Sequence, residues 1–121
     1  MRAGRDRDAE IRLRRLAGLT APLEAVKRRD AGALAEVQSA IQAIDDRIAA
    51  LRAEIYTAES CFDPMDLDGA AAFASWVAAA RARIARWEAE REALRPAWEA
   101  ARETLLRSNG EAEAVKRLSA R

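Results

Sequence analysis

Residues 34–62, LAEVQSAIQAIDDRIAALRAEIYTAESCF, decide the fold. Leu34, Val37, Ile41, Ile44, Ile48, Leu51, Ile55, Ala58 and Phe62 recur there at alternating steps of three and four residues. That spacing keeps one apolar seam turned toward a partner helix in a left-handed coiled coil. Upstream, Leu16, Leu19, Leu23 and Val26 keep the rhythm. The next steps, to Asp30 and on to Leu34, are both four residues, which reads as a stutter that locally unwinds the supercoil. Gly18 and the Thr20-Ala21-Pro22 stretch permit a second reading, a short helix ending near Gly18 and a new one capped by Thr20 with Pro22 in its first turn. One long helix with a weak point there is the expectation favoured here.

A second series follows: Phe73, Val77, Ala80, Ile84, Trp87, Arg91, Leu94, Trp98, Ala101, Leu105, Ser108, Ala112 and Val115, again alternating four and three. Trp87 and Trp98 fall on this seam and read as core. Pro96 removes one backbone hydrogen bond but lies at the outermost heptad position, so the helix is expected to continue through it with a bend. Asn109-Gly110 is a turn or C-cap signal, and Glu111 to Leu118 are expected as a frayed or separately started turn.

Between the two series, Asp63 reads as an N-cap, Pro64 as the first helical residue and Asp66 as an acid in the first turn. Helices joined by so short a connection must lie antiparallel. The expected fold is therefore all-α: an elongated, antiparallel two-helix coiled-coil hairpin forming a single domain over 1–121. Helix 1 covers about 8–60, the bend 61–63 and helix 2 about 64–118. Folding about residue 64 or 65 places Arg91 near Glu36 or Gln38 and Asp30 near Arg102, polar seam residues of the kind that fix register.

Composition agrees. Ala (31), Arg (19), Glu (12), Leu (11) and Lys (2) make up 75 of the 121 residues, the signature of long helices, and the length suits one domain. The larger apolar side chains suffice to line a stripe. A net charge of +1 argues against a protein that wraps nucleic acid by neutralising many phosphates. With no His, His-based triads and His-ligated zinc are excluded. No run approaches the roughly 18 apolar residues that cross a bilayer, and no signal-peptide pattern follows Met1. A cytoplasmic protein without direct membrane insertion is the simplest expectation.

The search for chemistry returns little. Asp63, Asp66, Asp68 and Gly69 suggest a calcium loop, but aligning Gly69 with the sixth position puts Pro64 at the first ligand and Ser75 at the twelfth. No glycine-rich phosphate loop exists. Cys61 has neither a His partner nor an obvious cationic neighbour to activate it. No catalytic residues, metal site or cofactor are expected, and the chain is not expected to be an enzyme.

Charge and aromatics are unevenly distributed. Residues 53–80 hold five acids and no Lys or Arg, net −5, whereas residues 1–15 are net +3 and residues 111–121 net +1. Opposed charge at two ends suits a protein held between different partners, each end steering its own encounter. Tyr56 and Trp76 fall off the seam in the acidic half. They serve either as binding anchors or as cover for the flank of the seam.

With its arginine-rich N-terminal helix, the Asp63-Pro64-Met65-Asp66-Leu67 bend, the aromatic pair Phe73 and Trp76, and the Arg/Glu/Ala-rich returning helix, the sequence resembles the FliJ-like stalk proteins of flagellar and virulence type III secretion. The resemblance covers nearly the whole chain. It implies a non-enzymatic coupling protein, similar to the central stalk of rotary ATPases, that links an export ATPase hexamer to a membrane-embedded export gate protein and also engages export chaperones. The chain would then be cytoplasmic and peripherally associated with a membrane export apparatus. Carried over by position, the end facing the ATPase ring would be Arg12, Leu13, Arg14, Arg15 and Leu16, with Val115, Lys116, Arg117 and Leu118 opposite. The surface for gate and chaperones would be Arg52, Tyr56, Phe73, Trp76 and Ala80. The competing expectation is a generic cytoplasmic coiled-coil adaptor or chaperone that dimerises through its Ala-rich faces.

Overall fold

The structure, a computed structural model, describes residues 2–120, with side chains from residue 4 onward. The side chain of Arg2 and all of Arg121, counted above in the basic termini, lie outside the described residues. Three helices account for the fold: α1 (Arg2–Ser60), α2 (Leu67–Ala93) and α3 (Arg95–Ala120), with no strand among the described residues. The chain is all-α, as its heptads predict. It forms two compact units, Val37–Pro96 and Met1–Glu36 together with Ala97–Arg121.

In the Val37–Pro96 unit, Ile44, Ile48, Leu51 and Ile55 of α1 pack against Ala80 and Ile84 of α2, flanked by Trp87 and Leu94. Every one of these is a predicted seam position. Burying an Ile or Leu side chain is worth about 1.5–3 kcal/mol, so this cluster supplies the unit's main stabilisation. Three ion pairs cross between the helices: Asp45 to Arg91 (2.6 Å), Arg52 to Glu88 (2.7 Å) and Glu59 to Arg81 (3.4 Å). As the α1 number rises the α2 number falls, so the helices are antiparallel. All six side chains are substantially exposed, and such pairs contribute about 0–1 kcal/mol each; they record the register more than they hold it.

That register corrects one expectation. Arg91 faces Asp45, not Glu36 or Gln38, because the turn is longer than expected and the start of α2 runs beside it, with Phe73 stacked on Phe62 at 4.6 Å. The turn occupies 61–66 in place of 61–63, and α2 begins at Leu67 in place of 64. The N-cap is Asp66, not Asp63. The Asp63 carboxylate is already taken by the Met65 N–H (2.9 Å), and the Asp63 carbonyl accepts from the Asp66 N–H (3.2 Å), closing a local turn. Asp66, in extended conformation, then accepts from the Gly69 N–H at 2.9 Å, and Asp68 adds an acid to the first helical turn. A Cβ on Gly69 would overlap the Asp66 carboxylate, so glycine there leaves room for the cap.

In the other unit α1 is continuous from Arg2, earlier than the expected residue 8, and passes through Gly18 and Pro22. The Thr20 hydroxyl donates to the Leu16 carbonyl at 3.2 Å instead of capping a new helix. The expected stutter is absent. Leu16, Thr20, Leu23, Lys27, Asp30 and Leu34 are withdrawn from solvent at steps of four and three, whereas Leu19 is 50% exposed. The seam thus runs through Thr20 and Lys27, with Val26 half-buried beside it. Leu19 and Val26 misled because burial follows the helix's geometry and not the hydrophobicity of each residue.

The remaining differences lie along the returning chain. α3 runs unbroken through Asn109 and Gly110, because Ser108 and Ala112 around them are buried, and no described residue has positive φ. α2 and α3 are separated by Leu94 alone, still in the right-handed helical region, with its N–H shared between the Glu90 and Arg91 carbonyls. Pro96 has no N–H to continue the ladder. Asp30 is buried and pairs with Arg29 (3.4 Å), while Arg102 lies over the Trp98 ring (5.6 Å) and not beside Asp30.

Candidate functional site

The residues expected to face a gate protein do not form one surface. Ala80 is 3% exposed and belongs to the core beneath Ile55 and Ile84, so it cannot touch a partner. Phe73 is half-buried against Phe62. Arg52 and Tyr56 do come together, lining a shallow groove with Glu59, Arg81, Ala85 and Glu88 over a floor of Ile55 and Ile84. The groove continues past the Arg52 to Glu88 pair to Asp45 and Arg91. Tyr56 rises from it 73% exposed.

Trp76 stands elsewhere. It precedes Arg83 by one heptad and shares the flank of Arg83 and Trp87, the opposite side of the seam, where Arg47, Ala50 and Glu54 complete a second groove. Arg83 lies over the Trp87 ring at 5.1 Å. Trp76 is 40% exposed. A single partner face that contacts both Tyr56 and Trp76 would have to reach around the hairpin.

The apolar side chains best placed for contact at the bend were not singled out by heptad analysis. Met65 and Leu67 are 86% and 82% exposed. The Asp63 turn and the Asp66 cap hold the backbone around them, so both side chains are presented from an ordered turn, and Asp63, Asp66 and Asp68 flank them in sequence. Their signal in the sequence was an apolar pair between acids, outside either heptad series. Cys61, at the same turn, is a free exposed thiol.

At the other candidate surface, Arg12, Leu13, Arg14 and Arg15 are exposed and Leu16 is half-buried. Every described side chain from residue 4 to residue 15 is exposed. Val115 is half-buried, and Arg117 and Leu118 are exposed. Lys116 reaches Glu24 at 3.0 Å, so residues 115–118 lie level with Glu24 and not with 12–16. That offset of eight residues along α1 is roughly 12 Å. The close Lys116 ammonium holds the Glu24 carboxyl below its ordinary value, and the Glu24 carboxylate raises the Lys116 ammonium above its own. Glu24, a residue that heptad analysis passed over, is thus the ion-pair partner that marks the level of the α3 end.

Among the described residues no group of three or more Cys, Asp or Glu side chains could hold a metal ion, and no helix is long and apolar enough to cross a membrane. No protein-family model, curated protein or solved structure matches the chain.

Proposed function

We propose that the chain is a non-enzymatic stalk or coupling protein of a flagellar or type III secretion export ATPase complex, linking the ATPase ring to the export gate and assisting export with chaperones. The observation that supports this reading is the contrast between its two exposed surfaces. An acidic bend with apolar side chains standing in solvent serves one partner, and an arginine-rich helical segment exposed at every described side chain serves another. Long-range attraction of opposite charge steers each surface to a different target. Arg12, Leu13, Arg14 and Arg15 engage the ring. Tyr56, with Arg52 beside it, meets gate or chaperone, and Ala80 acts only by supporting the core.

The test is reconstitution with the purified export ATPase of the same cell. The chain is expected to stimulate ATP hydrolysis, and Arg12→Glu with Arg14→Glu and Arg15→Glu is expected to abolish the stimulation while leaving helix content unchanged. No stimulation by the native chain, or full stimulation by the triple variant, overturns the proposal.

A further inference from the structure

We infer that the bend of one copy docks on the N-terminal arginine-rich segment of a second copy. The two surfaces are complementary in chemistry. Around the bend, residues 53–80 carry net −5 without one Lys or Arg, and Met65 and Leu67 stand more than four-fifths exposed among the acids. Large apolar side chains on a soluble surface at that exposure mark an interaction site more often than single scattered ones do. The turn is held by the Asp63 bond to Met65 and the Asp66 cap on Gly69, so little ordering is left for binding to impose.

The receiving surface is the part of α1 where Ile11 and Leu13 are 43% and 45% exposed between Arg12, Arg14 and Arg15. No residue there is buried by the chain's own packing. Met65 and Leu67 against Ile11 and Leu13 would supply the apolar centre, and the aspartates against the arginines the charged rim. Because the two faces differ, the contact is heterologous, and after pairing each copy keeps one free face, so that the pair as a whole still offers one of each kind. This inference stands apart from the export reading, since it needs no other protein.

Sedimentation velocity on the full chain tests it. The native chain is expected to form dimers and larger species as concentration rises, with the association weakened at about 1 M salt, where screening shortens to about 3 Å. Met65→Ser with Leu67→Ser, both at exposed positions outside the caps, is expected to weaken association about tenfold or more. Arg12→Glu with Arg14→Glu is expected to do the same. Mixed together, the two variants retain one intact face each and are expected to recover a 1:1 dimer that grows no further. A native chain that stays monomeric over the whole concentration range overturns the inference. So does self-association untouched by both variants, which would assign it to another face such as the exposed alanines of α2. Variants that fail to pair when mixed overturn it as well.

Discussion

The two units use the same heptad spacing and fill it with different chemistry. Between Val37 and Pro96 the seam is aliphatic, and four large α1 residues meet Ala80 and Ile84 in one buried cluster. In the unit formed by Met1–Glu36 and Ala97–Arg121, the corresponding positions hold Thr20, Lys27, Asp30 and Ser108, and among its described residues those buried are Asp30, Ser108 and Ala112. Spacing alone therefore decides which face turns inward, and side-chain chemistry decides how firmly it stays there. A helix that owes most of its stability to tertiary packing is held less where that packing is polar and small. The firmer unit carries the bend, and the looser one carries the exposed arginines.

The largest expected effect breaks the firm unit. Ile48→Ala removes a buried side chain from the centre of the cluster and should cost about 2–4 kcal/mol, read by urea unfolding followed by circular dichroism. The matching change in the other unit, Leu23→Ala, starts from a half-buried side chain and should cost about 1 kcal/mol. Equal losses would erase the distinction between the units. Next, Asp30→Leu replaces a buried carboxylate, paired only at 3.4 Å with an exposed Arg29, by an apolar group. Polar seam residues are held at a cost in stability, so this change should raise stability by about 1 kcal/mol, and a lowered melting temperature would contradict the seam assignment of Asp30.

Gly69→Ala sharpens the comparison at the firm unit's turn. Displacing the Asp66 carboxylate forfeits the cap, an expected loss of about 1 kcal/mol, and adding Asp66→Ala should then cost little more. Additive losses would show that the two residues do not act through one contact. The smallest effect lies in the loose unit, at Glu24 and Lys116. With its pKa lowered from 4.5, Glu24 contributes stability above that pH and loses it as the pH falls through the lowered value. With its pKa raised from 10.5, Lys116 contributes below that pH and loses it as the pH rises through the raised value. The melting difference between the native chain and Lys116→Gln should accordingly be level between these limits and shrink on the acid side of 4.5. A difference growing toward low pH would contradict the pairing.

Much of this was legible in the residue spacing. From Leu34 to Phe62 no seam position is exposed, and in the returning series only Arg91 is, because it leaves the seam sideways for Asp45. What the spacing did not disclose came from competition among similar signals. Leu19 and Val26 are more hydrophobic than Thr20 and Lys27, yet the second pair completes the unbroken heptad. Asp63 and Asp66 are both good caps, and which one starts the helix depended on Asp63 being used by Met65. That in turn fixed the register, moved the partner of Arg91, and left Met65 and Leu67 in solvent. The candidate surfaces were legible as charge and composition, but not as geometry. Tyr56 and Trp76 separate only once the two grooves show which flank each heptad position faces, and Ala80, a seam position by its spacing, is closed to a partner by the buried cluster it shares with Ile55 and Ile84.

In the function proposed above, the loose, arginine-bearing unit is the one a ring partner grips while the firm unit stays as it is. Amide hydrogen exchange on the chain alone and with the purified export ATPase tests it most directly. The chain alone should exchange slowly over 44–55 and 80–93 and quickly over 4–36 and 97–120, and the ATPase should add protection chiefly at 4–16. Uniform protection of the free chain, or new protection confined to the bend, would contradict it.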